Sequence, residues 1–361
     1  MSSHDALMKL LPGVPVIESP FFPLIADSDY FSEAEKPLAW QLYEKGYAVL
    51  EFPDSQINAR AERIIKSLEP IFAHVPKLRD SGIPIDDTRV QDAFKFDEDV
   101  LALAINDNML ALLKKLYGRA PIPFQTLNFR RGSQQFMHTD SVHFSSNPER
   151  FMCGVWVALE EVDENNGPLF YYEGSHRWPI YTNEHIGLTA AELNPREISQ
   201  QHYHQLWEQL TKRHEVRRKH LHAKPGTTLI WCANLLHGGE QMSEPDRTRW
   251  SQVTHYYFEN CSYYTPMHSD VFLGNIMFRE PDNILQGGDL TNSYNGHQVS
   301  ERFVQEARRG MTKIAKRATP ALPEDFDDAR YLALHPDVAR DKRDAAEHYL
   351  MHGQEEGRRY K

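Results

Sequence analysis

"GSQQFMHTDSVHFSSNPERF", residues 132–151, places His138 and Asp140 two positions apart, a few residues after Gly132. Side chains on an extended chain alternate between faces, so residues i and i+2 share one. One imidazole nitrogen and one carboxylate oxygen are thereby offered to a single ion. The triplet is short, and by itself it also reads as two exposed polar residues of a loop. A metal site needs a third ligand from elsewhere in the fold, and "TLIWCANLLHGG" (228–239) supplies His237. It closes an apolar strand and precedes two glycines, where the chain is expected to turn. Two neutral imidazoles and one carboxylate leave coordination positions open, an arrangement suited to Fe(II) in oxygen-activating enzymes. Taken alone, His237 also reads as a structural or surface histidine.

The texture of the surrounding sequence is that of a β-protein. "PFQTLNFRRG" (123–132), "FMCGVWVALEEV" (151–162), "GPLFYYEGSH" (167–176) and "RWSQVTHYYFEN" (249–260) are short aromatic and β-branched runs bounded by turn residues. Such a series predicts an antiparallel sandwich or barrel. Upstream, "GYAVLEF" (46–52) reads as a buried strand and "INARAERIIKSLEPIF" (57–72) as a helix. "DVLALAINDNMLALLKKLYG" (99–118) also has helical periodicity and closes on Gly118, a C-terminal cap. The stretch 184–222 is polar and reads as a helical insertion, and the chain turns helical again from about 320.

Composition narrows the function. The 361 residues are 40% hydrophobic and 11% aromatic, enough for a sizeable core. A formal charge of −11 argues against nucleic-acid binding, which needs a basic face. No apolar run is long enough to span a membrane, and the start, "MSSHDALMKLLPGVP", lacks the pattern of a signal peptide. Cys153, Cys232 and Cys261 are far apart with no CxxC pair, which points to a reducing, cytoplasmic setting and away from a structural zinc site.

With these blocks in order, the sequence resembles the phytanoyl-CoA dioxygenase-like oxygenases, which use non-haem iron and 2-oxoglutarate. The resemblance runs from roughly 40 to 260 and rests on "GYAVLEF", "HTD", "WVALEEVDENNGPLFYYEGSH", "GTTLIWCANLLHGG" and "DRTRWSQVTHYYF". Its most specific part is the Asn-Gly-Pro-Leu turn at 166–169. The resemblance implies a mainly β fold with flanking helices around a double-stranded β-helix (jelly-roll, cupin-like) core at about 122–262. It implies His138, Asp140 and His237 as iron ligands, Fe(II) and 2-oxoglutarate as cofactor and co-substrate, O2 as oxidant, and stimulation by ascorbate.

2-Oxoglutarate is a dianion, and its far carboxylate wants a planar two-pronged donor, which is arginine's speciality. Arg247 and Arg249 lie ten and twelve residues beyond His237. Aligning the family on "HYYF" favours Arg249, with Arg247 in reserve. Ser251 shares a face with Arg249. Trp156 matches an aromatic of the family's co-substrate pocket and equally suits plain core, while Gln125 and Asn128, on the strand leading into the site, are candidates to face the ligand. Met137 departs from the tryptophan many relatives carry before the first ligand, which would alter the pocket wall. His143 reads as a supporting residue. Related halogenases lack the carboxylate, so Asp140 argues for hydroxylation, with desaturation, epoxidation and ring closure as the other outcomes.

The tail, "FDDARYLALHPDVARDKRDAAEHYLMHGQEEGRRY" (326–360), resembles a small module attached to bacterial glycosyltransferases and cell-surface proteins. Two helical patterns break at Pro336, with Tyr331, Leu332, Val338, Tyr349 and Leu350 as apolar contacts and Gly353 and Gly357 as terminators. The expected domains are therefore an oxygenase over 1–319 and a helical module over 320–361, the latter contacting a glycan-biosynthesis partner. The substrate expected first is a sugar, nucleotide sugar or surface-glycan residue, then a natural-product or amino-acid-like metabolite. An acyl-CoA ranks behind them, because no basic cluster stands out in the sequence. The insertion is expected to form part of a lid, with His202, His204, His214, His220 and His222 on a solvated face. A non-enzymatic jelly-roll binding protein and a cupin-type isomerase or lyase are the rival classes.

Overall fold

Seven buried residues in a row, Met152–Ala158, form the middle strand of the molecule. A strand covered on both faces needs no polar alternation, which is why MCGVWVA reads as a continuous apolar run. The protein is described from a computed structural model covering residues 3–72, 89–190, 198–244, 246–309, 322–323, 325–340, 344–350 and 358–360. Its strands are β1 Tyr47–Glu51, β2 Arg89–Gln91, β3 Pro121–Phe129, β4 Ser145–Asn147, β5 Met152–Ala158, β6 Leu169–Tyr172, β7 Arg218–Leu221, β8 Thr227–Cys232, β9 His237–Gly239, β10 Ser251–Phe258 and β11 Ser262–Tyr264, before a short hairpin at 293–298. A six-stranded antiparallel sheet runs β1-β8-β5-β10-β3-β2, a three-stranded sheet runs β7-β6-β9, and β4 pairs with β11.

The two faces of β5 have different duties. Cys153, Val155 and Val157 join a core with Ile64 and Leu68 of the helix Ile57–Phe72, Leu103 of Glu98–Ala104, and Leu112 and Leu116 of Asp107–Tyr117. Each fully buried leucine there contributes about 1.5–3 kcal/mol. Trp156 and Ala158, on the other face, pack with Leu229 and Val253 of the same sheet and with Tyr171 and Leu221 of the smaller sheet. The interior of the jelly roll lies between the two sheets.

Three boundaries differ from the sequence reading. The helix expected over 99–118 is two helices, Glu98–Ala104 and Asp107–Tyr117. Asn106 divides them because its side chain accepts from Met109 N and caps the second helix. Gly118 does end that helix, at φ +75°. The large sheet takes β1 and β2 from outside 122–262. Among the described residues of the insertion, the α-helix spans Ile198–Arg213, and the end of the insertion becomes β7, an edge strand paired with β6.

The chain divides into two compact units, Met1–Met311 and Thr312–Lys361. In the second, the short helices Asp328–Leu334, Pro336–Arg340 and Ala345–His348 gather Tyr331, Val338, Ala345 and Tyr349, with Phe326, Leu332 and Tyr360 packed alongside. Asp327 caps the first of them by accepting from Arg330 N. Leu350 is not part of this cluster, and Gly353 and Gly357 lie outside the described residues.

Candidate metal centre

Thr139 is extended (φ −109°, ψ 141°), so His138 and Asp140 project to one side before the chain turns at Asp140–Val142. The third member arrives through backbone pairing. His138 N donates to His237 O at 2.8 Å and His237 N to His138 O at 3.0 Å. Both imidazoles approach Asp140 with Nε2, His138 at 3.9 Å from Oδ1 and His237 at 4.0 Å from Oδ2. One ligand atom from each residue lies within 4.8 Å of the others, and among the described residues this is the one such group that could hold a metal ion.

The surroundings fix which atoms face inward. His138 Nδ1 lies 2.9 Å from Phe136 O and His237 Nδ1 lies 2.9 Å from Leu235 O. A carbonyl only accepts, so each Nδ1 carries the proton and each Nε2 keeps its lone pair for a metal. Burial, with His237 alongside, pushes the His138 imidazole down to about 3, leaving it neutral, the form that binds an ion. Trp231 Nε1 donates to Asp140 Oδ2 at 2.8 Å. Burial opposes the charge of Asp140, but the imidazoles of His237, His255 and His138 and the Trp231 hydrogen bond outweigh it and hold the carboxyl below its ordinary value.

Two close approaches demand glycine. A Cβ on Gly154 would stand 2.0 Å from Cζ2 of Trp231, so the indole that orients Asp140 lies flat on the bare backbone of β5. The glycines after His237 do not make the expected turn; they continue β9. A Cβ on Gly238 would meet Phe170 at 2.6 Å, and one on Gly239 would meet Ser133 Oγ at 2.5 Å. They are glycine because the chain before His138 passes too near for a side chain.

A cavity of about 560 Å³ opens over the triad, within the usual range for small-molecule sites. Its floor is built in rows across the large sheet: Trp231, Gly154, His255 and Gln125, then Leu229, Trp156, Val253 and Leu127, then Ala158, Ser251 and Phe129. Arg249 lies just beyond the third row, 1% exposed, its guanidinium 5.8 Å from the Trp156 ring and 6.0 Å from Phe129. Its Nε and Nη1 have no hydrogen-bond partner, nor do Ser251 Oγ and Trp156 Nε1. Burial pushes the guanidinium down to about 10 against the pull of Glu160. A buried cation without a counter-charge is costly unless a ligand supplies one. The donor set thus fits a ferrous ion, and the orphaned guanidinium fits a carboxylate beside it.

The other sequence candidates divide. Arg247 is a surface residue paired with Asp163 at 2.8 Å and Glu244 at 3.1 Å, and does not line the cavity. Gln125 lines it and meets His255 Nδ1 at 2.9 Å. Asn128 is a correction: three residues from Gln125, it takes the opposite face, where its Nδ2 donates to Gln252 Oε1 at 3.2 Å behind the sheet. Met137 is another, packing with Phe170, Tyr203 and Trp207 away from the cavity wall. His143 lines the cavity beside the triad. Of the insertion's histidines, His204 lines the cavity and packs at a tilt against Phe136, His214 stacks on Trp178, and His220 pairs with Glu240. Trp231, Gly154, His255 and Arg279 went unmarked in the sequence. A tryptophan in a buried strand needs a partner for its N–H, a signal that could have led from Trp231 to Asp140. The Asn-Gly-Pro turn holds Arg249 from outside: Asn166 Nδ2 donates to Glu161 O and to Thr248 O.

A family model described as phytanoyl-CoA dioxygenase (PhyH) matches residues 55–249, more than half of the chain. A "probable phytanoyl-CoA dioxygenase" of Caenorhabditis elegans is 26% identical over 135 residues, 36% of this chain and 37% of that protein. The match thus spans little more than a third of that relative's length. Among solved structures, EctD from S. alaskensis, with 2-oxoglutarate and 5-hydroxyectoine, superposes with a TM-score of 0.50 at 20% identity, covering 70% of this chain and 84% of that one. At that identity the likeness concerns the fold. The α-ketoglutarate-dependent epimerase SnoN of nogalamycin biosynthesis gives a TM-score of 0.46 at 19% identity over 72% of this chain and 96% of that one.

Proposed function

The chain belongs to the phytanoyl-CoA dioxygenase (PhyH) family, and on that footing we propose that it is an Fe(II)- and 2-oxoglutarate-dependent dioxygenase. It hydroxylates an unactivated C–H bond of a small molecule. The observation that carries the reading is the pairing of a two-histidine, one-carboxylate cluster with a buried arginine whose Nε and Nη1 have no hydrogen-bond partner, on one cavity wall. His138, Asp140 and His237 hold the iron. Arg249 grips the far carboxylate of 2-oxoglutarate, with Ser251 and Trp156 Nε1 as further donors and Gln125 at the opposite end of the floor. When bound, iron and 2-oxoglutarate with O2 supply the oxidising power, which is theirs and not the protein's.

The protein's own contribution is positioning. The carbonyls of Phe136 and Leu235 hold both Nε2 lone pairs toward the cavity, and Trp231 fixes one oxygen of Asp140 and leaves Oδ1 open. Leu127, Val253 and Trp156 give an apolar floor that shelters the space between triad and Arg249 from water. His204 brings the insertion's helix to the cavity rim as part of a lid. The substrate we favour is a sugar, nucleotide sugar or surface-glycan residue, ahead of a natural-product or amino-acid-like metabolite. The C-terminal unit, with its likeness to a glycosyltransferase-associated module, supports that order and suggests a glycan-biosynthesis partner.

The test is incubation with Fe(II), ascorbate and 2-oxoglutarate, following succinate. The reading expects slow succinate release even without substrate, lost in Asp140→Ala. Release unaffected by that substitution would remove the metal assignment.

A further inference from the structure

Among the described residues that line the cavity, Arg249 and Arg279 bring guanidinium N–H groups without partners, against a single acidic side chain, Asp140. The chain carries a net charge of −11, so this basic lining runs against the average of the molecule. Ferrous iron and the 2-oxoglutarate dianion offset each other, and Arg249 is engaged by that dianion. The Arg279 guanidinium is left over from that pairing, in a walled space that focuses its field.

Arg279 is the arginine poised to use it. Its guanidinium stacks 4.7 Å from the Phe144 ring and 5.9 Å from Phe124. Aromatic faces fix the planar fork without consuming its N–H donors. Its Nε is buried and has no hydrogen-bond partner. The contrast lies in the arginines outside the cavity: Arg60, Arg218, Arg247 and Arg308 each pair with a carboxylate at 2.7–2.9 Å. Arg279 is also anchored, its N donating to Tyr263 O at 2.8 Å. Along β3, Phe124 and Phe129, the rings beneath Arg279 and Arg249, lie on opposite sides of Gln125, which stands in the row of Trp231. The two guanidiniums thus stand near different rows of the sheet.

We infer that the substrate carries an oxyanion, a carboxylate or a phosphate, held by Arg279. This rests on the oxygenase reading above and sharpens it: acidic, phosphorylated or nucleotide-linked molecules fit the cavity, and neutral glycan residues do not. A guanidinium engages either oxyanion through two parallel charge-assisted hydrogen bonds.

The experiment uses the full chain loaded anaerobically with Fe(II) and 2-oxoglutarate, the complex being recognised by its visible charge-transfer absorbance. Inorganic phosphate, acetate and, as neutral control, glycerol are then titrated by calorimetry. The inference expects at least one of the two oxyanions to bind where glycerol does not, phosphate preference marking a phosphoester and acetate preference a carboxylate. Arg279→Gln should weaken that binding about tenfold to a hundredfold, with Arg279→Lys in between. Oxyanion binding no tighter than glycerol in the wild-type protein would overturn the inference, as would binding that survives in Arg279→Gln. Failure of the coloured complex to form at all would instead remove the oxygenase reading, and this inference with it.

Discussion

Replacing Gly154 by alanine is expected to weaken ferrous-ion binding by about tenfold to a hundredfold without touching a ligand. The added methyl would stand 2.0 Å from Cζ2 of Trp231 and 2.3 Å from Cε2. Carbon atoms settle at about 3.5 Å or more, so the indole must retreat by about 1.5 Å. Its hydrogen bond to Asp140 Oδ2 is 2.8 Å long and does not survive such a shift, given a working limit of about 3.2 Å. Asp140 is 3% exposed, so bulk water is a poor replacement for the indole N–H. Loss of a charge-assisted hydrogen bond costs about 1.5–3 kcal/mol, and loss of a partner behind a metal ligand typically costs about 10- to 100-fold in affinity. Overpacking should also lower stability by about 1–3 kcal/mol. Anaerobic competition against a chromophoric chelator reads the affinity, and a thermal melt reads the stability. Trp231→Phe separates the two, keeping an aromatic ring while removing the N–H. Wild-type affinity in Trp231→Phe would refute the claim that this hydrogen bond sets the carboxylate.

Arg249→Met should abolish 2-oxoglutarate binding and yet raise the Tm of the ligand-free protein by a few degrees, because it removes a buried guanidinium with unpaired Nε and Nη1; a lower Tm would mean that the cation is compensated. Asp99 accepts from Arg60 Nη1 and from Arg63 Nε and Nη2 at 2.7–2.8 Å. Arg63 first, then Arg60, hold its carboxyl below the ordinary value against burial. A depressed folded-state value means stability that is present above the unfolded value and lost as pH falls through the folded one. Asp99→Asn should therefore lower stability slightly at pH 7, by less than about 1 kcal/mol because the cluster is partly solvated. That difference should vanish as pH falls through the depressed folded value, and a gap constant with pH would contradict the assignment.

What the sequence disclosed follows from range. His138 and Asp140 were legible because the spacing of two is local geometry, and His237 because it ends an apolar run. Burial sets Arg249 apart from Arg247, and spacing alone carries little information on that. Asn128 failed through a rule the sequence did contain: residues three apart on a strand take opposite faces, and Gln125 holds the inward one. The glycines after His237 read as a turn because a tight approach by residues 133–135 leaves no trace in neighbouring sequence. The basic lining was invisible for the same reason. Arg89, Arg249 and Arg279 come from three distant segments, and only folding collects them around Asp140.

Crystals grown with ferrous iron under anaerobic conditions, with an anomalous difference map recorded at the iron absorption edge, test the centre directly. A single peak contacting His138 Nε2, His237 Nε2 and an Asp140 oxygen is the predicted result. A peak at other side chains, or a fully iron-loaded protein in which the three residues do not touch the ion, would contradict it.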